Sequence, residues 1–160
     1  MHRLTLLMTA ALALALGACA GGVSYSQVEA QLPALAADRG RIYIYTPTRN
    51  FALNFQPEVL VAGASVGQSH SGTFLVVDRR AGEYRIEAAK QASFSAFSGQ
   101  LSSVPANIFL AAGSKLYVRM QIEDEQLALR AESVAVPAED GQRALRELSY
   151  RGGNALPTSD

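Results

Sequence analysis

The sequence predicts a mainly β domain: an antiparallel sandwich of about seven to eight short strands with a short C-terminal helix. Three observations lead there. Apolar residues make up 49% of the 160-residue chain and charged residues 18%, a composition that buries a core and does not favour disorder. Short runs rich in β-branched and aromatic residues recur at intervals of roughly 8–12 residues. Turn signals separate them at Ala62-Gly63-Ala64, Ser71-Gly72, Ala81-Gly82 and Ala112-Gly113-Ser114.

The strands follow in order. RIYIYT (41–46) alternates, with Ile42 and Ile44 on one face and Tyr43 and Tyr45 on the other. VLVAG (59–63), TFLVVD (73–78), YRIEAA (84–89), NIFLAA (107–112), KLYVRMQI (115–122) and QLALRAESVAV (126–136) are further strands. SFSAFSGQL (93–101) is a weaker strand candidate, because Phe94 and Phe97 break a period of two. AEDGQRALREL (138–148) follows Pro137, carries Glu139 and Asp140 in its first turn and spaces Leu145 and Leu148 three apart, which reads as a short amphipathic helix. The sandwich therefore spans 39–148, and 149–160 (ending RGGNALPTSD) is expected to be a frayed tail.

The N-terminus has a different logic. Met1-His2-Arg3 supplies a positive start, and the weakly polar or apolar run from Leu4 to Leu16 falls short of the ~20 residues a membrane span requires. Leu16-Gly17-Ala18-Cys19 then resembles the lipobox of bacterial lipoproteins. That resemblance implies cleavage before Cys19, a diacylglyceryl group on its thiol and often an acyl group on the new amine. Two or more acyl chains anchor a protein stably, at ~0.8 kcal/mol per buried methylene. Alanine rather than aspartate at position 20 implies, by the same resemblance, sorting to the outer membrane. Residues 1–18 are thus expected to be a signal peptide, and 19–38 a lipidated terminus and tether with Gly21-Gly22-Val23-Ser24 as its flexible part. Within the tether, Ser26 and Glu29 have capping-box spacing, Pro33 prevents a long helix, and a single turn over Pro33 to Ala37 is expected.

Composition excludes several chemistries. Equal numbers of basic and acidic residues, 14 of each, leave no broad field for nucleic acid. One cysteine allows no internal disulfide and no thiolate-based zinc site. No GxSxG, HExxH or phosphate-loop pattern occurs. His70 lies between Ser69 and Ser71, but QSHSG reads as the polar turn before strand 73–78 rather than as a nucleophile and its base. Glu123-Asp124-Glu125 offers carboxylates for calcium but no glycine to bend a loop, so a solvated hairpin turn is expected. Asp78-Arg79-Arg80 reads as a solvated turn, with phosphate or lipid headgroups the alternative. Tyr43, Tyr45 and Tyr117 are expected to pack with their hydroxyls at the rim, an aromatic platform for sugars being the alternative. Leu145 and Leu148 are expected to cover an open end of the sandwich rather than bind a partner.

The middle of the chain carries a resemblance. RIYIY (41–45) after a glycine, then VLVAGASVGQSHSGTFLVVDRRAGEYRIEA (59–88), then GSKLYVRM (113–120), resembles a bacterial lipoprotein family known only as a domain of unknown function. The central part also resembles the PEGA-type module, departing from it at Ala62, where asparagine is common, and at Ala81, where proline often precedes the turn glycine. The resemblance implies an immunoglobulin- or transthyretin-like sandwich in the cell envelope. The functional expectation is a non-enzymatic protein with no cofactor or metal, anchored through Cys19 to the outer membrane and facing the periplasm. Its partner would be an envelope protein or glycan. The alternative is a small-ligand or glycan site on the tyrosine-rich face.

Overall fold

The computed structural model describes residues 22–49, 55–89, 100–125 and 128–155. The signal segment, Cys19 and most of the weak strand 93–101 lie outside the described residues. In chain order the elements are α1 (Tyr25–Gln31), β1 (Arg39–Thr46), β2 (Glu58–Val61), β3 (Ala64–Gln68), β4 (Thr73–Arg80), β5 (Gly82–Ala89), β6 (Gln100–Val104), β7 (Ala106–Leu110), β8 (Lys115–Glu125), β9 (Ala128–Val136), α2 (Ala138–Leu145) and β10 (Ser149–Gly153). They form a six-stranded sheet, β10-β4-β1-β8-β9-β6, and a four-stranded sheet, β3-β2-β5-β7. The protein is mainly β with two sheets and a short C-terminal helix.

The strands divide their side chains three ways. Ile42, Ile44, Leu75, Val77, Val118 and Met120 of the large sheet meet Val59, Val61, Ile86, Ile108 and Leu110 of the small one. On the other face of the large sheet Tyr43, Tyr45, Phe74, Val76 and Tyr117 are buried under Val28 of α1 and under Leu145 and Leu148 at the end of α2. The result is three layers: helices, six strands, four strands. Burial on both faces explains why β1 and β4 read as nearly unbroken apolar runs rather than alternating ones.

Several sequence expectations change. The described residues hold ten strands, the additional ones including β3 and β10. The small sheet is antiparallel throughout, whereas the large sheet includes three parallel pairs, β1–β8, β10–β4 and β6–β9. The first part of the expected tail 149–160 is β10, Ser149–Gly153, hydrogen-bonded alongside β4, and 156–160 lie outside the described residues. Leu145 and Leu148 cover the outer face of the large sheet, not an open end. Glu123-Asp124-Glu125 belongs to β8 and pairs with β9, opposite Arg130, Leu129 and Ala128, so it is not a turn. Asp78-Arg79-Arg80 likewise completes β4.

The tether is the largest change. Ser24 caps α1: its hydroxyl accepts from the Gln27 amide, and the Gln27 side chain accepts from the Ser24 amide at 2.8 Å. The capping box thus sits two residues before the expected Ser26–Glu29 pair. Leu32 ends the helix in extended backbone, as the residue before a proline should. The preceding chain is also fixed, since the Val23 carbonyl accepts from the Tyr150 amide at 2.8 Å and Ser24 bridges to Ser149. Gly22–Ser24 is therefore docked along β10, not a flexible spacer.

Two backbone positions explain odd residues. Gly141 stands within α2, a position that otherwise disfavours glycine, because its Cα passes against Tyr117, where a Cβ would collide. The β2–β3 turn places Ala62 at φ 52° and Gly63 at φ 77°, a two-residue hairpin with left-handed backbone at both positions. Alanine is strained there, and asparagine tolerates that region better. Ala62→Asn should therefore raise stability by about 0.5–1 kcal/mol, read as a higher urea midpoint. A lowered midpoint would contradict the assigned turn.

Candidate functional site

Two places in the fold concentrate chemistry. The first lies between α1 and the outer face of the large sheet. Arg41 on β1 is 4% exposed, and β4 sets Asp78 directly opposite it. The guanidinium makes a two-pronged contact with the carboxylate, Nε to Oδ1 at 2.7 Å and Nη2 to Oδ2 at 2.8 Å. Its Nη2 also donates to the Pro33 carbonyl at 2.9 Å, which ties down the chain leaving α1. The hydrogen bonds from Arg41 to Asp78 hold the guanidinium pKa above its ordinary value, against the opposing effect of burial.

One turn of the helix away, Glu29 faces inward. It accepts from the Tyr43 hydroxyl and forms an ion pair with Lys115 Nζ at 2.6 Å. Burial alone would raise its pKa, but the bonds from Lys115 and Tyr43 and the charges of Lys115 and Arg41 outweigh burial and lower it. Burial, then the bond to Glu29, pushes the Tyr43 phenol far above its ordinary value. The Tyr43 and Tyr117 rings stack at 5.0 Å, Tyr25 meets Tyr43 edge-on at 5.9 Å, and Gln142 of α2 donates to the Tyr117 hydroxyl at 3.2 Å.

This cluster fastens the helix layer and offers no open site. Tyr43, Tyr45 and Tyr117 are 0%, 4% and 2% exposed, so the platform for sugars considered from sequence is covered by α1 and α2. The tyrosines pack as expected, but their hydroxyls do not lie at an open rim: two of the three bond to helix side chains. His70 sits just ahead of β4, where its carbonyl accepts from the Thr73 amide and hydroxyl, as the turn reading implies. Burial and then Arg151 lower its pKa. Among the described residues no cluster of three or more His, Cys, Asp or Glu is placed to hold a metal, and no helix is long and apolar enough to cross a membrane.

The second place is the outer face of the small sheet. β7 alternates strictly, so Ala106, Ile108 and Leu110 enter the core while Asn107 and Phe109 point out. Phe109 is 68% exposed, the more exposed of two large apolar side chains on the described surface. Opposite it in the ladder stands Glu83, with Arg85 opposite Asn107. These residues, with Ala62 and Tyr84, line an open groove of roughly 560 Å³. Unlike the large sheet, this face has no helix packed on it among the described residues. Sequence reasoning missed Phe109, although the parity of NIFLAA already separates it from Ile108 and Leu110. It also missed Glu29 and Arg41 as partners of Lys115 and Asp78, because those contacts join segments far apart in the chain.

A family model described as a protein of unknown function, DUF2846, matches residues 36–133. That stretch runs from just before β1 into β9 and so takes in strands of both sheets, while α1, α2 and β10 lie outside it. No curated protein and no solved structure matches the chain.

The buried pair gives a sharp test. Asp78→Asn leaves Arg41 charged and without its carboxylate, and should cost about 3 kcal/mol in urea unfolding, whereas Arg41→Met with Asp78→Leu should cost far less. A single-variant loss below about 1 kcal/mol would contradict this. The Glu29 contacts predict a pH dependence. Folding lowers this pKa, so the stabilisation is present above the unfolded glutamate value of about 4.3 and fades as pH falls through the lower folded value. Glu29→Gln should be about 0.5–1 kcal/mol less stable than the native chain at pH 7, with the two converging below about pH 4. A constant difference down to acid pH would rule out the charge as its source.

Proposed function

The chain belongs to the DUF2846 family of proteins of unknown function, and from its lipobox-like N-terminus, which lies outside that match, we propose a non-catalytic, lipid-anchored protein of the bacterial outer membrane. Its body faces the periplasm and binds or scaffolds another envelope component. Cys19 is the lipidated residue, following the signal peptide 1–18 and the lipobox-like Leu16-Gly17-Ala18. No catalytic motif of the kinds named above occurs in the sequence.

One observation carries the binding part of the reading: Phe109 stands exposed on a sheet face that no helix covers among the described residues. A solvent-facing phenylalanine beside Glu83, Arg85 and Asn107 has the composition of an interface, an aromatic anchor within a polar surround. The partner is an envelope protein or glycan presenting an apolar group to that ring. The tyrosine face is not a second candidate, because its rings are buried.

A photocrosslinker placed at Phe109 in intact cells should yield a reproducible adduct. Phe109→Asn, with a crosslinker at neighbouring Asn107, should lose that adduct without a change in unfolding midpoint. Adducts that survive Phe109→Asn, or none at all, would contradict the assigned surface. The anchor is tested separately. Cys19→Ser should leave an unprocessed precursor that no longer partitions as a lipoprotein, and mass spectrometry of the native protein should find residue 19 first and lipidated.

A further inference from the structure

We infer that the layer formed by α1 and the chain that follows it, residues 23–37, is a membrane-facing surface lying on the bilayer that holds the anchor. This rests on lipidation of Cys19 as proposed, and adds to it an orientation.

The first argument is reach. Three Cα–Cα steps separate Cys19 from Gly22, so the two can be at most about 11 Å apart. From Gly22 onward the chain is docked: Val23 bonds to Tyr150, Ser24 bridges to Ser149, and α1 begins at Tyr25. A lipid on Cys19 is therefore tied almost directly to the start of α1, and that helix must stay close to the headgroups.

The second argument is charge. Between Ala20 and Ala37 the sequence carries one ionisable acid or base other than tyrosine, Glu29. That carboxylate is turned inward onto Tyr43 and Lys115 rather than presented outward. The exposed residues of this stretch, among them Val23, Gln27, Ala30, Gln31 and Ala34, are uncharged. Such a surface can approach headgroups without stripping water from an ion, a step that costs several kcal/mol when uncompensated. Val23, 42% exposed and four residues beyond Cys19, adds an apolar contact where the chain leaves the bilayer.

Within the helix layer the uncharged surface is confined to residues 23–37, since Glu139, Asp140, Arg143, Arg146 and Glu147 in and after α2 are exposed, and the opposite face is charged as well. Glu83 and Arg85 are exposed on the small sheet, and Glu87 is half-exposed beside them. With sheets about 10 Å apart and a helix layer about 10 Å above a sheet, the Phe109 face lies some 20 Å from the helix face. An orientation with α1 and residues 23–37 on the lipid points the binding groove away from the membrane.

The test uses the mature lipidated chain in vesicles whose lipids carry a quencher at the headgroup. Ala34→Cys and Asn107→Cys, each bearing an environment-sensitive fluorophore, report the two faces, with unfolding midpoints confirming that the variants fold. The inference predicts strong quenching at position 34 and essentially none at position 107. Equal quenching at both, or quenching at 107 alone, would overturn the orientation while the anchor stands. If the chain does not co-sediment with the vesicles, the anchor and the orientation both fall.

Discussion

A sheet that carries large apolar side chains on both faces must be covered on both, and this requirement organises the molecule. Tyr43, Tyr45, Phe74 and Tyr117 project from the large sheet away from the inter-sheet core. Burying a ring of this size contributes about 2–3 kcal/mol, so leaving the face open would forfeit a large share of a small domain's stability. The cover comes from two short helices at opposite ends of the chain. α1 has seven residues, below the ~12–15 that an isolated helix needs. It is helical because Val28 and Tyr25 pack on the sheet, and the sheet face stays dry because α1 is there.

The polar contacts beneath α1 set where that cover sits. A buried ion pair such as Arg41–Asp78 adds little net stability relative to apolar replacements, since desolvation offsets attraction. Its geometry is nonetheless exacting, and the third bond, to Pro33, fixes the path of the chain between α1 and β1. Glu29 does the same from the helix itself, joining Tyr43 and Lys115. Position, more than energy, is what these groups supply.

Much of the fold was legible in the sequence for a local reason. Strands such as RIYIYT and TFLVVD announce themselves by β-branched and aromatic content, and the turn glycines bound them. The elements that escaped reading depend on distant partners. ASVGQ in β3 and SYRGG in β10 have weak strand composition and are strands because β2 and β4 offer free edges to pair with. The helix α1 was obscured by Pro33, which ends it one turn earlier than a typical helix but does not prevent it. Parallel pairing of β1 with β8 leaves no local mark at all. At the candidate sites the tyrosine stripe was visible as a packed face, yet its cover was not. Phe109 was hidden in plain sight, an apolar residue on the wrong parity of its own strand.

The same docking that closes the sheet also removes the spacer the sequence suggested. With Cys19 lipidated as proposed, only residues 20 and 21 lie between it and the docked Gly22, and the proposed anchor would constrain orientation as well as location. The claim beneath all of this is that residues 24–32 are part of the folded body. Hydrogen exchange measures it most directly, through the amides of Val28 and Leu32, which donate to Ser24 and Val28 at 3.0 Å. Protection at these two amides approaching that of β1 is the predicted result. Exchange at the rate of an unstructured peptide would contradict it, and would return the N-terminal segment to the role of a loose tether.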